Sequence, residues 1–425
     1  MAKGALLALS ALLALCVATL WKPLLRRATV LGFLRSQEEF RNIHGDIAPL
    51  KISNTVHCED LHYHAESGKL YTACEGVEHT RRHWFPPLGH TDRHDHDGQG
   101  MIVVVDPITL EATELALTGF TGHFVTHGID IFPSEDGRTM TIFAVNHLPN
   151  PEYGESQNES VSLQKARSQI EVFSHTINSD TAVWIGSIRH ARIRTPNDIF
   201  ATSPTSFYVT NDHYYRDGRM RFVEDLLEYN TGAWSDVLHV DFATDTVDAL
   251  TEVTVTNGLA KVHNPNGLGH TTRPDEVLLS DASGGDLLVM GRDLANNTSK
   301  ALTLRSRIQL DSTIDNPSYY YDLYATAGNN ASGYVLAGLP FAHTLGQAAR
   351  TVDVPIPTMV WHVRENAIGN HDIMMIFQDD GKLLRSASTA VLVGINPASN
   401  GGKKQAWLFV TGYVSEAMVV ARVNL

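Results

Sequence analysis

Apolar residues fall along this chain in short runs rich in β-branched and aromatic side chains, with turn residues between them. The runs are Lys69 to Cys74, Met101 to Asp106, Thr139 to Asn146, Gln169 to Ser174, Phe207 to Thr210, Glu276 to Ser280 and Asp286 to Met290. They continue with Tyr334 to Gly338, Thr358 to Val363, Ile373 to Gln378, Ser386 to Val393, Ala406 to Thr411 and Ala417 to Val423. No helical period separates them, so the pattern predicts an all-β closed fold of many short strands. The last run is expected to close the ring by pairing with the first. A length of 425 residues suits two or three average domains, but closed all-β architectures often run this long as one unit.

The N-terminus breaks the pattern. Residues Ala5 to Trp21 are nearly all apolar, with Lys3 before them and Lys22, Arg26 and Arg27 after. Such a run directs a chain to the secretory pathway, as a removed leader or an uncleaved signal anchor, and the basic residues behind it favour the anchor. A buried hydrophobic helix is the remaining reading. Residues 28–50 then read as a connector, with Phe33, Leu34, Phe40 and Ile43 at the spacing of one short helix. Residues 51–425 read as a single domain. A membrane-anchored or extracellular location agrees with sequons at Asn158, Asn296, Asn297 and Asn330.

Charge narrows the partners. With 33 basic against 47 acidic residues and a formal charge of −14, the chain does not suit nucleic acid and does suit cations. Cys58 and Cys74 flank a hairpin with its turn near Glu66 to Lys69, within disulfide reach, although the balance favours two free thiols. The stretch Glu78 to Gly100 carries His79, His83, His90, His94 and His96 around Pro86 and Pro87, and reads as a solvated loop rather than a zinc site. Pro149 to Gln164 reads as a polar surface loop, and Arg216 to Asp236 as a partly helical lid.

Candidate chemistry sits in the turns. Asn197 and Asp198 lie between Pro196 and the apolar pair Ile199 and Phe200, so two oxygen-bearing side chains emerge where a strand begins. Matching oxygens occur at Glu59–Asp60, Asn264 to Gly267, Asp281, and Asp315–Asn316 before Pro317. Carboxylates and amide carbonyls without sulfur suit a hard ion, and calcium tolerates irregular cages of about six to eight oxygens better than magnesium does. These corners meet only in a radial fold.

Taken in order, Glu59-Asp60-Leu61, His127-Gly128-Ile129, Val145-Asn146-His147, Ile188-Arg189-His190, Asn197-Asp198-Ile199, Thr210 to Tyr214, Asn266-Gly267 and Asp315-Asn316 resemble the paraoxonase/arylesterase family. Beyond residue 320 the resemblance is only to generic propeller strands. It implies a six-bladed β-propeller that hydrolyses aryl esters or lactones with two calcium ions. By that resemblance Glu59, Asn197, Asn266, Asp315 and Asn316 hold a catalytic ion. By the same resemblance Asp60, Asp198 and the carbonyl of Ile129 hold a structural one, and the opposite facing of strand neighbours explains how adjacent residues could serve two ions. His127 and His147 match the histidine pair assigned to activating water. Asn264 and Asn257 compete with Asn266 for its place, and no cysteine follows Cys74 to make the family's disulfide to the last strand. The alternatives are a gluconolactonase-like or strictosidine-synthase-like propeller enzyme, or a non-catalytic propeller stiffened by calcium.

Overall fold

The apolar runs assemble into six sheets arranged as a β-propeller, seen in a computed structural model that describes residues 21–77, 80–92, 98–155, 164–231, 234–244, 250–295, 299–366 and 370–425. Five sheets have four strands and one has five. From the axis outwards, the first sheet is Leu61–His64, Lys69–Cys74, Met101–Val105 and Ala112–Glu114. The second is Thr126–Pro133, Thr139–Pro149, Ala166–Thr176 and Thr181–Ile188, with Ala116–Thr118 added parallel at its outer edge. The third and fourth begin with Pro196–Ser203 and Pro265–His270, the fifth with Pro317–Tyr320 and the sixth with Ala387–Ile395.

Each pair of neighbouring sheets buries its own apolar cluster. Tyr71 and Ile102 of the first sheet pack on Ile129 and Ile142 of the second. Phe143 and Val172 then meet Phe207 and Leu238, and Tyr208 meets Leu268 and Leu279. Leu278 and Val289 meet Leu336 and Val363, and Val335 and Val360 meet Leu392 and Leu408. Phe409 and Val420 of the sixth sheet close on Leu70 and Val103 of the first. A strand covered on both faces needs apolar residues on both, which is why these strands read as continuous apolar runs.

The ring closes differently from expectation. The last strand, Met418–Asn424, pairs antiparallel with Leu50–Ile52, with Leu50 opposite Val420. It cannot pair with Lys69–Cys74, because both edges of that strand are already taken by Leu61–His64 and Met101–Val105. Cys58 and Cys74 are joined as a disulfide, not free, which ties the entry of the first inner strand to the strand beside it. Their Cα atoms are 3.9 Å apart.

The expected short helix within residues 28–50 is displaced towards the N-terminus, running over residues 21–30 with turns after it. Phe33 and Leu34 are exposed rather than packed along a helix face. Among the described residues no helix is long and apolar enough to cross a membrane, and the apolar run before Trp21 lies outside them. The sequons at Asn158, Asn296 and Asn297 also lie outside the described residues, while Asn330 is exposed.

The histidine-rich stretch is not a solvated loop where it is described. Thr80–His83 forms one helical turn, and Trp84–Phe85 pairs with His90–Thr91. Trp84 and Phe85 are buried, and the Trp84 indole donates to the carbonyl of His147 at 2.7 Å. His79, His94 and His96 lie outside the described residues. The expected lid contains a helix, Arg219–Thr231. Of the polar loop, Pro151–Glu155 forms a short helix and 156–163 lie outside.

Candidate active site

Inner strands bring the polar turns to the axis. Pro196, Pro265 and Pro317 each start an inner strand, a position where a missing N–H costs the ladder nothing. Asn197, Asn266 and Asn316 are their chain neighbours and so emerge together. Glu59 and Asp60 precede the first inner strand, and His127 lies in the second. Glu59, His127, Asn197, Asn266 and Asp315 all line one cavity of about 260 Å³. Asp60 instead lines a cavity of about 400 Å³ on the other side of the Glu59–Asp60 step, as strand alternation requires.

Glycines permit the approach. A Cβ on Gly267 would lie 2.4 Å from the Asn316 Cα and 2.5 Å from its Oδ1, and one on Gly128 would lie 2.5 Å from both the Asn197 carbonyl oxygen and Asp198 Oδ1. The Glu59 carbonyl accepts hydrogen bonds from Thr389 Oγ1 at 3.0 Å and Thr411 Oγ1 at 2.7 Å, so hydroxyls of the sixth sheet hold the first turn in place.

Glu59, Asn197, Asn266, Asp315 and Asn316, here the upper residues as against Asp60 and Asp198 below, have the chemistry of an ion cage. No hydrogen-bond donor among the described residues reaches the buried Oδ1 of Asn197, Asn266 or Asn316. Three buried amide oxygens without donors are costly unless something positive faces them. Burial and the nearby Asp315 and Asp60 carboxylates push Glu59 well above the usual carboxylate range, and burial with Asp60 pushes Asp315 up to about 8. A cation would relieve both repulsions. Among the described residues no three His, Cys, Asp or Glu side chains gather as a metal site; this set mixes two carboxylates with three amides, a donor set that fits calcium.

The competing residues are engaged otherwise, although Asn264 lines the same cavity. Asn264 donates to the Asp212 carbonyl and accepts from Ser283 N, so its amide is satisfied. Asn257 lies on an outer strand and its Oδ1 accepts from Arg192. Asp281 is engaged by His263 at 2.7 Å and by Gly284 N at 2.9 Å, outside the cage.

His127 Nε2 stands 4.0 Å from Glu59 Oε1, facing the cage. Its Nδ1 is 3.0 Å from His147 Nε2, and His147 Nδ1 is 2.8 Å from Ser168 Oγ. Burial, reinforced by the Arg81 charge, pushes His127 down to about 3, and burial beside His127 likewise lowers His147. Both rings are therefore neutral across ordinary pH.

Several residues at the site carried no sequence signal of their role. Phe85, from the histidine-rich stretch, packs edge-on against His127 with ring centroids 5.0 Å apart. Tyr413 lines the cavity with a buried hydroxyl that no described group meets, and burial with Asp315 and Glu59 holds its phenol protonated. Arg221 reaches the cavity from the helix Arg219–Thr231. Asp212 and His213 also line it; the Thr210 to Tyr214 motif pointed to them, without a role.

Comparisons with known proteins identify a family. The family model described as Arylesterase matches residues 95–393, a stretch that holds His127, His147, Asn197, Asn266, Asp315 and Asn316 but starts after Glu59 and Asp60. Serum paraoxonase/arylesterase 2 of Canis lupus familiaris is 24% identical over 283 residues, covering 66% of this chain and 67% of that protein. Serum paraoxonase/arylesterase 1 of Mus musculus is 31% identical over 163 residues, 37% of this chain and 40% of its own. The structure of a periplasmic gluconolactonase from Pseudomonas aeruginosa covers 86% of this chain and 85% of its own at 11% identity, with a TM-score of 0.40.

Proposed function

The chain belongs to the arylesterase family, and on that premise we propose that it hydrolyses aryl esters or lactones with a calcium ion held by Glu59, Asn197, Asn266, Asp315 and Asn316. The observation that carries this reading is the set of three buried amide oxygens without donors, gathered around two carboxylates raised by burial and by neighbouring carboxylates. When bound, calcium would supply the positive charge that polarises the acyl oxygen and offsets the developing oxyanion.

The protein's own groups do the rest. In the tautomer whose Nδ1 proton is donated to His147 Nε2, with the His147 Nδ1 proton donated to Ser168, His127 presents the Nε2 lone pair to the cage. That nitrogen can take a proton from an attacking water. A base lowered this far is weak, so its share of the rate enhancement lies at the small end of the usual range. Phe85, Leu88, Leu339 and Leu345 form an apolar wall that receives the aryl or alkyl part of the substrate and excludes water. The apolar run at the N-terminus supports a further proposal, that the chain enters the secretory pathway and stays at a membrane or is exported.

The test separates cage from base. Asp315→Ala should abolish hydrolysis of an ester and lactone panel, while His127→Gln should leave the ion in place and cost about 10²-fold or less. A lactone, with its alkoxide leaving group, should lose more than an aryl ester. Full activity in folded Asp315→Ala protein would remove Asp315 from the metal site.

A further inference from the structure

Asp60, the carboxylate on the other side of the Glu59–Asp60 step, differs from the upper cage in one respect: its oxygens are already met. Asp60 Oδ1 accepts from Leu61 N at 2.8 Å and Thr389 Oγ1 at 3.1 Å, and its Oδ2 accepts from Ile129 N at 3.2 Å. The fourth position is taken by His62 Nε2, 2.8 Å from Asp60 Oδ2. An ionised carboxylate has about four lone-pair sites, and here four donors occupy them. The same imidazole contacts the backbone of Ile129, whose carbonyl was another expected ligand, and its Nδ1 lies 3.6 Å from Asp130 Oδ1. Asp198 Oδ1 accepts from Ile199 N at 2.7 Å and Oδ2 from Leu268 N at 2.6 Å.

We infer that the His62 side chain takes the place of a second ion, so that this propeller holds one calcium, in the upper cage, instead of two. The inference rests on the calcium reading of that cage. Calcium binds oxygens at about 2.3–2.6 Å, so entry beside Asp60 would require His62 to leave. His62 is held on the far side as well, because Asp130 is itself fixed by Ile131 N at 2.8 Å, Ala201 N at 2.6 Å and His270 Nε2 at 2.7 Å. Displacing the ring would leave the buried Asp60 carboxylate short of a donor and Asp130 without its nearby imidazole. The contrast with Asn197, Asn266 and Asn316, whose oxygens have no donors at all, sets the two positions apart.

Counting ions decides the matter without reference to activity. The full chain is stripped of metal, equilibrated with saturating calcium and measured by native mass spectrometry together with elemental analysis. We expect one calcium per chain in the wild type, one in Asp60→Asn and none in Asp315→Asn. Two ions in the wild type would overturn the inference and leave the proposed function intact. No ion in the wild type would overturn both. A single ion that survives in Asp315→Asn and is lost in Asp60→Asn would place it at the lower position and overturn the inference too. Should either variant fail to fold, the wild-type count still separates one ion from two.

Discussion

Gly267 shows how one residue sets the geometry of the cage. The space a side chain would need there is filled by Asn316, with its Cα at 2.4 Å and its Oδ1 at 2.5 Å from an added Cβ. Overpacking of this kind costs about 1–3 kcal/mol, and if most of it falls on Asn316, Gly267→Ala should weaken calcium binding about tenfold. Titration calorimetry checks this, and an affinity equal to wild type would show that Asn316 does not depend on that contact. At this scale much of the upper site could be read in advance. Asn197, Asn266 and Asn316 carry an oxygen, sit beside proline and recur in order, so the residue type and its neighbour both point to a turn that offers a ligand. Tyr413 and Phe85 could not be read that way. A lone aromatic in a turn or an insertion looks the same whether it packs a core or walls a site, and only the closed ring brings these two against His127 and Asp315.

Among the elements, the strands found from sequence are mostly those buried on both faces, and several of those missed carry the site. Pro265–His270 and Pro317–Tyr320 are short and contain proline, glycine or asparagine, so they show neither alternation nor an apolar run, whereas the start of Pro196–Ser203 is marked by the Ile199 and Phe200 pair. Their strand geometry comes from pairing with apolar neighbours such as Ser206–Asn211 and Glu276–Asp281. The strand Thr358–Glu365 carries a different consequence, since it buries His362 fully and burial pushes this imidazole down to about 4. In the unfolded chain a histidine titrates near 6.5, so below that pH the unfolded state binds more protons and stability falls as pH drops from about 6.5 towards 4. The slope from His362 is about 1.4 kcal/mol per pH unit, and His362→Leu should remove it. Denaturant titrations at pH 7 and pH 5, at fixed free calcium, would contradict this if both proteins lost stability equally. The helix over residues 21–30 makes its own prediction. Arg26 pairs with Asp286 at 3.0 Å and donates to the Gly284 carbonyl at 2.9 Å, so Arg26→Ala should cost about 1–3 kcal/mol. A melting midpoint unchanged by that substitution would mean the helix is only loosely docked.

Across the whole molecule, the proposed calcium site would link closure to metal binding. The ring is shut by Leu50–Ile52 adding to the last sheet, and the cage draws residues from the first, third, fourth and fifth sheets. An ion bound there would tie four sheets together at the axis. Removing it should lower the melting midpoint, by an amount that follows the ratio of free calcium to its dissociation constant, about 2.7 kcal/mol at a hundredfold excess. Scanning calorimetry with and without chelator reads this directly, and an unchanged midpoint in metal-free protein would contradict it. A radial all-β fold was legible because six interfaces each demand apolar residues on both strand faces. Which N-terminal strand closes the ring was not, because Leu50–Ile52 is only three residues long and two of them are exposed. The most direct test of the account is hydrolysis followed against free calcium. Full-length protein is stripped of metal, shown to be empty by elemental analysis, and assayed with an aryl ester and a lactone while calcium is returned in steps. The account predicts no turnover without the ion and a saturable return that follows calcium binding. Full turnover by the metal-free protein, or none at any calcium concentration, would contradict it.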